Sequence, residues 1–395
     1  MQQKPRPPYC EDARRPFDPD VFFHNWTLGK YTKDPGTFRN FISNCFNLSD
    51  SDSYEYKALG TTTLGLTQVA IDAKRKNGLH DWYHDENGIN VQDPPTLDQI
   101  HDYCKLFTPE VSLPSALRGF RSNAKKDTLS RSIADHLASR FHNATTGLLP
   151  SNKKRLHDNP YLTFWVYSCQ ELEWAGPWPN SLYTKASHHI LPIFYHHFGC
   201  AVPTFSALWV IAKLAQPSKP SKEPVKPILD IGSGNGYWTY LLRKLPLDSS
   251  MKELEVYPID NGTSEYRVMW IPDTIPMSGI KFLNTYHYEG LTIDSGKNCI
   301  LLLVYPQATG DFTSGILKKF QGDTIVVAGT QNENGFTGFK NQTVEGWMGE
   351  WKKEFELVLR MPLPSFAGKD EGLFVFRRGR VEGFGRELGL VSLKG

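Results

Sequence analysis

A short stretch near the middle of the chain combines an acid with three closely spaced glycines. Residues 226–245 are KPILDIGSGNGYWTYLLRKL, so Asp230 lies within an apolar run and glycines occupy positions 232, 234 and 236. Glycine permits positive φ angles and lets a ligand approach bare backbone. Because a helical pattern follows at once, the stretch predicts a ligand-binding loop between a strand and a helix.

Two kinds of ligand use glycine-rich loops of this sort. A dinucleotide site prefers G-x-G-x-x-G, which would need glycine where this chain has Tyr237. The observed spacing is G-x-G-x-G, with Asp230 two residues before the first glycine. DIGSGNG resembles motif I of the class I S-adenosylmethionine-dependent methyltransferases, and the resemblance covers about residues 203–380. The segments YPIDN, LLLVYP, GTQNENGFTGF and PLPSFAGKDE are similar to those of one methyltransferase-like subgroup.

The resemblance implies S-adenosyl-L-methionine as the cofactor, together with a set of residues that bind it. Asp260, in VYPIDN, ends the second predicted strand, where an acid can accept hydrogen bonds from both ribose hydroxyls. By the same analogy, the end of the third strand approaches the adenine. The predicted cofactor-binding residues are Asp230, Gly232, Gly234, Asn235, Gly236, Asp260, Asn261, Tyr288 and Glu289. Trp270 is interpreted as a core residue rather than an adenine contact.

The predicted catalytic residues follow the fourth strand. Amine-modifying relatives carry an Asp/Asn-Pro-Pro-aromatic tetrad there, whereas this chain has Val-Tyr-Pro-Gln at 304–307. Tyr305 and Gln307 supply hydrogen-bonding groups, and Pro306 restricts the turn. Methyl transfer mainly requires an oriented acceptor and exclusion of water, so these three residues are predicted to shape the acceptor side. The missing Asp or Asn leaves an amino acceptor, and activity itself, open.

Alternating strand and helix patterns must position these residues. After residue 226, short β-rich runs alternate with helical segments, which indicates a parallel sheet with helices on both faces. The predicted strands are 227–231, 253–260, 280–286, 299–305, 324–329, 357–363 and 372–378. The predicted helices are 237–245, 312–320 and 343–355. Only a loop separates the last two strands. The predicted fold class is therefore α/β, a Rossmann-like seven-stranded methyltransferase sheet whose last strand is antiparallel.

The first half of the chain is predicted to be mostly α-helical. Helical patterns lie at 95–107, 129–141, 159–172, 184–198 and 203–216. Pro192 is expected to bend or break the fourth of these helices. Residues 1–60 show few periodic signals and are predicted to be loop-rich. We therefore predict a helical, loop-rich N-terminal region over 1–202 and a methyltransferase-like domain over 203–395.

Composition argues against several other classes of protein. The net charge of +2 demands neither nucleic acid nor an anionic membrane, and no apolar run approaches the length of a membrane-spanning helix. The six cysteines are scattered without a CxxC pair, which fits a reducing compartment and predicts an intracellular protein of the cytoplasm or nucleus. No metal is predicted. The histidines at 188, 189, 196 and 197 lack a metal-binding spacing, and 84–90 lacks the closing Glu of a calcium loop.

Two further segments have an open interpretation. The basic cluster at 118–126 is interpreted as a solvated surface, with an RNA contact as the alternative. Gln331, Asn332 and Asn334 follow the fifth strand on the ligand side of the sheet. A glycine-rich turn is the favoured interpretation there, and contact with a substrate is the alternative.

The leading prediction is a methyltransferase with an unknown acceptor, in which a small molecule or a protein is slightly favoured over RNA. One alternative is a catalytically inactive, methyltransferase-like interaction module whose N-terminal region carries the function. The missing acid at 304–307 favours that alternative, whereas Asp230, Asp260 and the glycines oppose it. The second alternative is a dinucleotide-dependent oxidoreductase, which Tyr237 opposes.

Overall fold

A computed structural model of the chain describes residues 7–58, 60–77, 87, 89, 96–145, 147–151, 156–171, 176–179, 183, 190–218, 222–332 and 337–379. The helices in these ranges are α1 Pro19–Thr27, α2 Phe38–Phe46, α3 Leu64–Asn77, α4 Leu97–Cys104, α5 Leu113–Asn123, α6 Leu129–Arg140, α7 Pro160–Glu171, α8 Leu191–Phe198, α9 Phe205–Ala215, α10 Tyr237–Arg243, α11 Gly279–Asn284, α12 Phe312–Lys319 and α13 Val344–Trp351.

Eight of the strands in the same ranges have two residues each, and all the longer strands begin at or after residue 228. The strands are β1 Tyr9–Cys10, β2 Tyr56–Lys57, β3 Thr61–Thr62, β4 His142–Asn143, β5 Ile228–Ile231, β6 Val256–Asp260, β7 Val268–Met269, β8 Ile275–Pro276, β9 His287–Tyr288, β10 Leu291–Thr292, β11 Ile300–Val304, β12 Thr324–Thr330, β13 Phe355–Pro362 and β14 Glu371–Arg378.

The central sheet is mixed and mostly parallel, which confirms the α/β class. Its strand order is β4-β13-β14-β12-β11-β5-β6-β8, and β8, β6, β5, β11 and β12 are parallel. Chain order reverses between β5 and β11, so the crevice beyond the ends of these two strands is where a doubly wound sheet binds its ligand. Antiparallel β14 lies between β12 and β13.

The prediction of seven strands is wrong, because the described sheet has eight. The extra strand is β4 from the N-terminal half, which pairs antiparallel with β13 at the sheet edge. The predicted third strand at 280–286 is also wrong. Its place is taken by the two-residue β8, and the segment itself forms α11, where Ser278 caps the helix by accepting a hydrogen bond from the Lys281 N–H. The pattern of a short apolar run does not tell a strand from a segment of a buried helix.

Each face of the sheet packs against its own layer of helices. Alternate residues of β11 divide between the faces, since Ile300 and Leu302 pack with α9, α10 and the N-terminal helices, whereas Leu301 and Leu303 pack with α11, α12 and α13. Because described residues of both halves share the first of these two cores, the N-terminal half packs directly on the sheet. The boundary between residues 202 and 203 stays a prediction.

The described part of the N-terminal half is more regular than predicted. Residues 7–58 contain two nine-residue helices, α1 and α2, that the sequence patterns do not predict, although most of this segment lies outside helices and strands. Asp18 and Thr37 cap the two helices with their side chains. Pro192 lies in the first turn of α8, which begins at Leu191, and residues 184–189 of the predicted helix lie outside the described residues. The other predicted helices of this half are confirmed within a few residues by α4, α6, α7 and α9.

A buried ion pair ties the N-terminal segment to the chain beyond β6. The side chains of Arg267 and Asp52 are 0% and 3% exposed, and Arg267 Nη1 donates to Asp52 Oδ2 at 2.9 Å. Arg267 also donates to the Tyr56 hydroxyl and, from Nε, to the Glu11 carbonyl at 3.1 Å. The ring of Tyr54 lies 4.5 Å from the guanidinium carbon. These contacts hold β2 and β1 against the segment that precedes β7.

Candidate functional site

A cavity of about 680 Å³ lies at the carboxyl ends of β5, β6 and β11. This volume is within the range of small-molecule sites, and the position is the switch point of the sheet. The glycine loop, the 259–266 segment and the 304–309 loop form its wall. The N-terminal half contributes Ala58 and the 198–200 segment at the end of α8. Both halves of the chain therefore shape one cavity.

Most backbone N–H groups of the glycine loop donate hydrogen bonds to other groups of the protein. Gly232 and Ser233 donate to the Ile259 carbonyl at 2.7 and 3.2 Å, and Gly236 donates to the Ser233 carbonyl at 3.0 Å. Gly234 donates to Asp260 Oδ2 at 3.0 Å, and Tyr237 donates to Asn235 Oδ1 at 3.2 Å. A loop that cradles phosphate presents such N–H groups to the ligand. In this chain, those five N–H groups already have partners within the protein.

The loop glycines are required by packing as well as by backbone angle. Gly234 has φ +57° and Gly236 has φ +79°, both in the left-handed region. A Cβ at Gly234 would lie 2.7 Å from the Tyr266 hydroxyl, and one at Gly236 would lie 2.3 Å from Ile271 Cγ1. The glycines thus let side chains of this chain, as well as a ligand, approach the loop.

Gly236→Ala is expected to lower the free energy of unfolding by about 2–4 kcal/mol, because it adds a steric clash to an unfavourable φ. Gly310→Ala is the matched control, since Gly310 has φ +70° and an added Cβ would meet nothing within 4 Å. The control should cost about 1 kcal/mol. Chemical denaturation compares the two variants, and equal losses would contradict the packing role of Gly236.

Asp230 is a fully buried carboxylate with one unsatisfied oxygen. Its Oδ2 accepts a hydrogen bond from the Thr239 hydroxyl at 2.6 Å, whereas Oδ1 has no partner. Burial is the largest effect on the pKa of Asp230 and raises it to about 7. The hydrogen bond from Thr239 lowers this pKa, the charge of Asp260 raises it, and the charge of Arg243 lowers it. Ser233 Oγ and Asn235 Nδ2 are also buried without partners in the same loop. Most buried polar atoms in native proteins have partners, and a bound ligand is one of the ways in which these three atoms could be satisfied.

Asp260 lies at the mouth of the loop, half-buried at the end of β6. Its Oδ2 accepts from the Gly234 N–H at 3.0 Å, and its Oδ1 accepts from the Gly262 N–H at 2.7 Å. Each carboxylate oxygen can accept a further hydrogen bond, so the side chain can still bind a diol. Asn261 also lines the cavity, but its Oδ1 accepts from the N–H and hydroxyl of Thr263 within its own turn.

Residues 304–307 also line the cavity. Tyr305 has φ +50°, an unusual angle for a residue of this type, and its N–H donates to the Ala328 carbonyl at 2.7 Å. Burial and then the charge of Glu371 raise the pKa of Tyr305 above its ordinary value, so its phenol stays protonated at neutral pH. Pro306 is buried and Gln307 is exposed. Tyr305 and Gln307 both line the cavity, where Gln307 supplies a neutral amide. The Tyr305 hydroxyl is hydrogen-bonded with Tyr195 within the protein, and neither side chain is a base.

The structure does not bring every predicted site residue to the cavity. Tyr288 and Glu289 belong to the β9–β10 hairpin and do not line it; Met277, Ser278 and Gly279 line it after β8 instead. Trp270 is 1% exposed in the core, and its Nε1 donates to the His197 carbonyl. Gln331 is buried and donates to Asp370 Oδ1 at 3.1 Å rather than into the cavity. Asn334, His188 and His189 lie outside the described residues, as do most of 84–90.

Several cavity residues carry no signal in the sequence pattern. They are Ala58, Phe198, Cys200, Trp238, Tyr266, Phe312 and Thr337. Trp238 and Thr337 lie in the segments KPILDIGSGNGYWTYLLRKL and GTQNENGFTGF, but nothing in either segment marks them as cavity residues. The other five belong to no motif, and their places depend on contacts between distant segments. The Thr239 hydroxyl donates to Asp230 from the first turn of a predicted helix. An acid at the end of a strand, followed nine residues later by a hydroxyl, is the one sequence signal that could have indicated this contact.

Within the described ranges, no group of three or more His, Cys, Asp or Glu side chains could hold a metal ion. In the same ranges, no helix has both the length and the apolar character needed to cross a membrane.

Comparison with known proteins identifies no family. No family model matches the chain, and no curated protein matches it either. Among solved structures, the chain is similar to an rRNA methylase from Escherichia coli, with 14% identity over 40% of this chain and a TM-score of 0.23. The chain spans 60% of that protein's length. The identity of 14% and the TM-score of 0.23 are both too low to assign a function.

Proposed function

We propose that this chain binds S-adenosyl-L-methionine at the cavity and transfers its methyl group to an acceptor that is a small molecule or a protein, with RNA left open. The observation that carries the proposal is the cavity at the switch point, where the motif loop meets Asp260 and leaves Asp230 Oδ1 and Asn235 Nδ2 without partners. A ligand with both donors and acceptors would satisfy these two atoms. The bound cofactor would supply an activated methyl group.

The residues fit the parts of this cofactor. Asp260 keeps acceptor capacity for a ribose diol at the end of β6. Asp230, fully buried, would accept a hydrogen bond from a ligand donor through Oδ1. Asn235 would donate through Nδ2. This chain would therefore bind and orient the ligand mainly through side chains of the loop and of the two strand ends.

The residues around 304–307 favour a mechanism in which the protein orients the methyl acceptor, rather than one in which a side chain acts as a base. No His, Lys or Arg is found among the described residues that line the cavity, and its two acids lie at the glycine loop and at the end of β6. Tyr305 and Gln307 are neutral hydrogen-bonding groups on the 304–307 loop. They would hold an acceptor in line while the cavity walls exclude water. The inactive interaction module predicts the same binding without turnover.

The dinucleotide alternative receives less support. A pyrophosphate needs free backbone N–H groups or cations, but five N–H groups of the loop have internal acceptors, and no described cavity residue is cationic. We therefore expect NADH to leave cofactor binding unchanged in a competition titration.

Calorimetric titration with S-adenosylmethionine tests the proposal. Micromolar binding is expected for the full chain, with at least a tenfold loss in Asp260→Ala. Glu265→Ala is the matched control, since Glu265 is an exposed acid of the same segment that does not line the cavity. No binding by the folded chain, or equal binding by both variants, would contradict the assignment. Binding that is followed by no transfer to any acceptor class would favour the interaction module.

A further inference from the structure

The charges that line the cavity are not balanced within it. Asp230 and Asp260 line it, and no Lys, Arg or His does so in the described part of the chain. The cation that acts on Asp230 is Arg243, but its guanidinium donates to both carboxylate oxygens of Asp273 at 2.8 Å and to the Val256 carbonyl at 2.6 Å. Arg243 is thus bound to other acceptors. The cavity keeps the negative charge of Asp260, to which Asp230 adds its own above its raised pKa of about 7.

The surroundings strengthen the effect of this negative charge on a bound cation. Asp230 is 0% exposed and its Oδ1 has no partner, so its interactions are weakly screened by water. Aromatic side chains also line the cavity, namely Phe198, Trp238, Tyr266, Tyr305 and Phe312. Aromatic faces attract cations, and the attraction grows when the contact is desolvated. Carboxylates and aromatic rings therefore favour the same sign of charge in the ligand.

We propose that this cavity selects for positive charge, so that, resting on the proposed function, it holds the sulfonium form of the cofactor more tightly than the neutral thioether product. S-adenosylmethionine and S-adenosylhomocysteine share the nucleoside and amino acid parts, and they differ by one methyl group and one positive charge. The cavity would then retain the methyl donor and release the product without a separate opening step. Acceptors with a carboxylate or phosphate beside the reacting atom would be disfavoured for the same reason.

Titration of the full chain with three ligands tests this selectivity. They are S-adenosylmethionine, S-adenosylhomocysteine and sinefungin, an analogue with an amine cation in place of the sulfonium. Both cationic ligands are expected to bind about tenfold more tightly than the neutral one, the size of a desolvated cation–aromatic contact. Equal or tighter binding of S-adenosylhomocysteine would overturn the inference while leaving the proposed function intact. No binding of any of the three would instead reject the proposed function.

A charge inserted at the rim gives the matched comparison. Gln307 is exposed and lines the cavity, so substitution there leaves the core unchanged. Gln307→Lys should reduce the preference for the cationic ligands at least threefold, whereas Gln307→Met, similar in length and uncharged, should retain it. The same preference in both variants would show that cavity charge does not set the selectivity.

Discussion

Asp52→Ala is expected to lower the free energy of unfolding by about 3–5 kcal/mol, because it leaves a buried guanidinium without its counter-ion. Arg267 is completely buried, and Asp52 is its acidic partner. Its other acceptors, the Tyr56 hydroxyl and the Glu11 carbonyl, are neutral and cannot replace the lost charge. Unfolding in urea, followed by tryptophan fluorescence, measures the loss.

The exposed pair between Asp50 and Arg14 provides the control for this prediction. Asp50 lies two residues before Asp52, its side chain is 99% exposed, and it is 3.5 Å from Arg14. An exposed ion pair contributes little, because water already solvates both charges. Asp50→Ala should therefore unfold at nearly the wild-type urea concentration. If Asp52→Ala matched it, the buried pair would not stabilise the fold as argued.

The effect of Asp52→Ala should extend to the cavity. Tyr266, which lines the cavity, directly precedes Arg267, and Ala58 follows the β2 strand that Arg267 holds through Tyr56. Loss of the ion pair should therefore weaken the contacts that hold these two wall segments in place. The N-terminal half would thus contribute to ligand affinity without any motif of its own.

Asp230→Asn is expected to weaken cofactor binding at least tenfold and, at the same time, to stabilise the unliganded protein at pH 8. The binding loss follows because a charged acceptor is replaced by an amide at the unsatisfied oxygen. The stability gain follows from the pKa of Asp230, which burial raises from 3.8 to about 7 in the folded chain. The isosteric Asn can still accept the hydrogen bond from Thr239.

The sign of the pH effect follows from proton linkage. Between pH 3.8 and about 7 the folded state binds more protons at Asp230 than the unfolded state does, so the contribution of Asp230 to stability falls as pH rises through this window. Above pH 7 the carboxylate is ionised and costs up to about 4 kcal/mol, from roughly three pKa units at 1.36 kcal/mol each. Asp230→Asn removes that cost, and its gain should be larger at pH 8 than at pH 5.

Urea unfolding at pH 5 and pH 8, together with calorimetric titration, checks both parts of this prediction. Asp102→Asn is the control, since Asp102 is 62% exposed and pairs with Lys105 on the surface. It should change neither cofactor affinity nor the pH dependence. A stability change in Asp230→Asn that is the same at both pH values would show that the buried charge is not its cause.

Local patterns predicted most of the sheet correctly. Strands β5, β6, β11 and β12 are continuous apolar runs, as expected of strands covered on both faces, and they match the predicted positions within a few residues. The prediction of a strand at 280–286 fails because its seven residues are compatible with a strand or a helix. The side chain of Ser278 caps α11 and so favours the helix. Strand β4 was missed because two residues carry no periodicity and only pairing with β13 makes them a strand.

The candidate site was predictable where its residues lie in the glycine loop or at the ends of strands that local patterns predict. Asp230 and the loop glycines form one continuous stretch, and Asp260 ends the adjacent strand, so parallel pairing of β5 and β6 brings them together. Tyr305 and Gln307 line the cavity for the same reason, since β11 pairs with β5. The position of Tyr288 depended on a third strand that lies elsewhere, and the structure takes that residue to a separate hairpin.

Local patterns were enough to predict that an acid, three glycines and a second acid meet at one edge of an α/β sheet. Strand, turn and helix signals act over a few neighbouring residues, and parallel pairing of β5 and β6 does the rest. The surroundings of these residues depend on contacts between distant parts of the chain. Packing of distant segments places Tyr266 over Gly234, and burial raises the pKa of Asp230. Pairing of Arg243 with Asp273 leaves the cavity without a balancing cation. Such contacts join residues far apart in the chain, so no local pattern contains them.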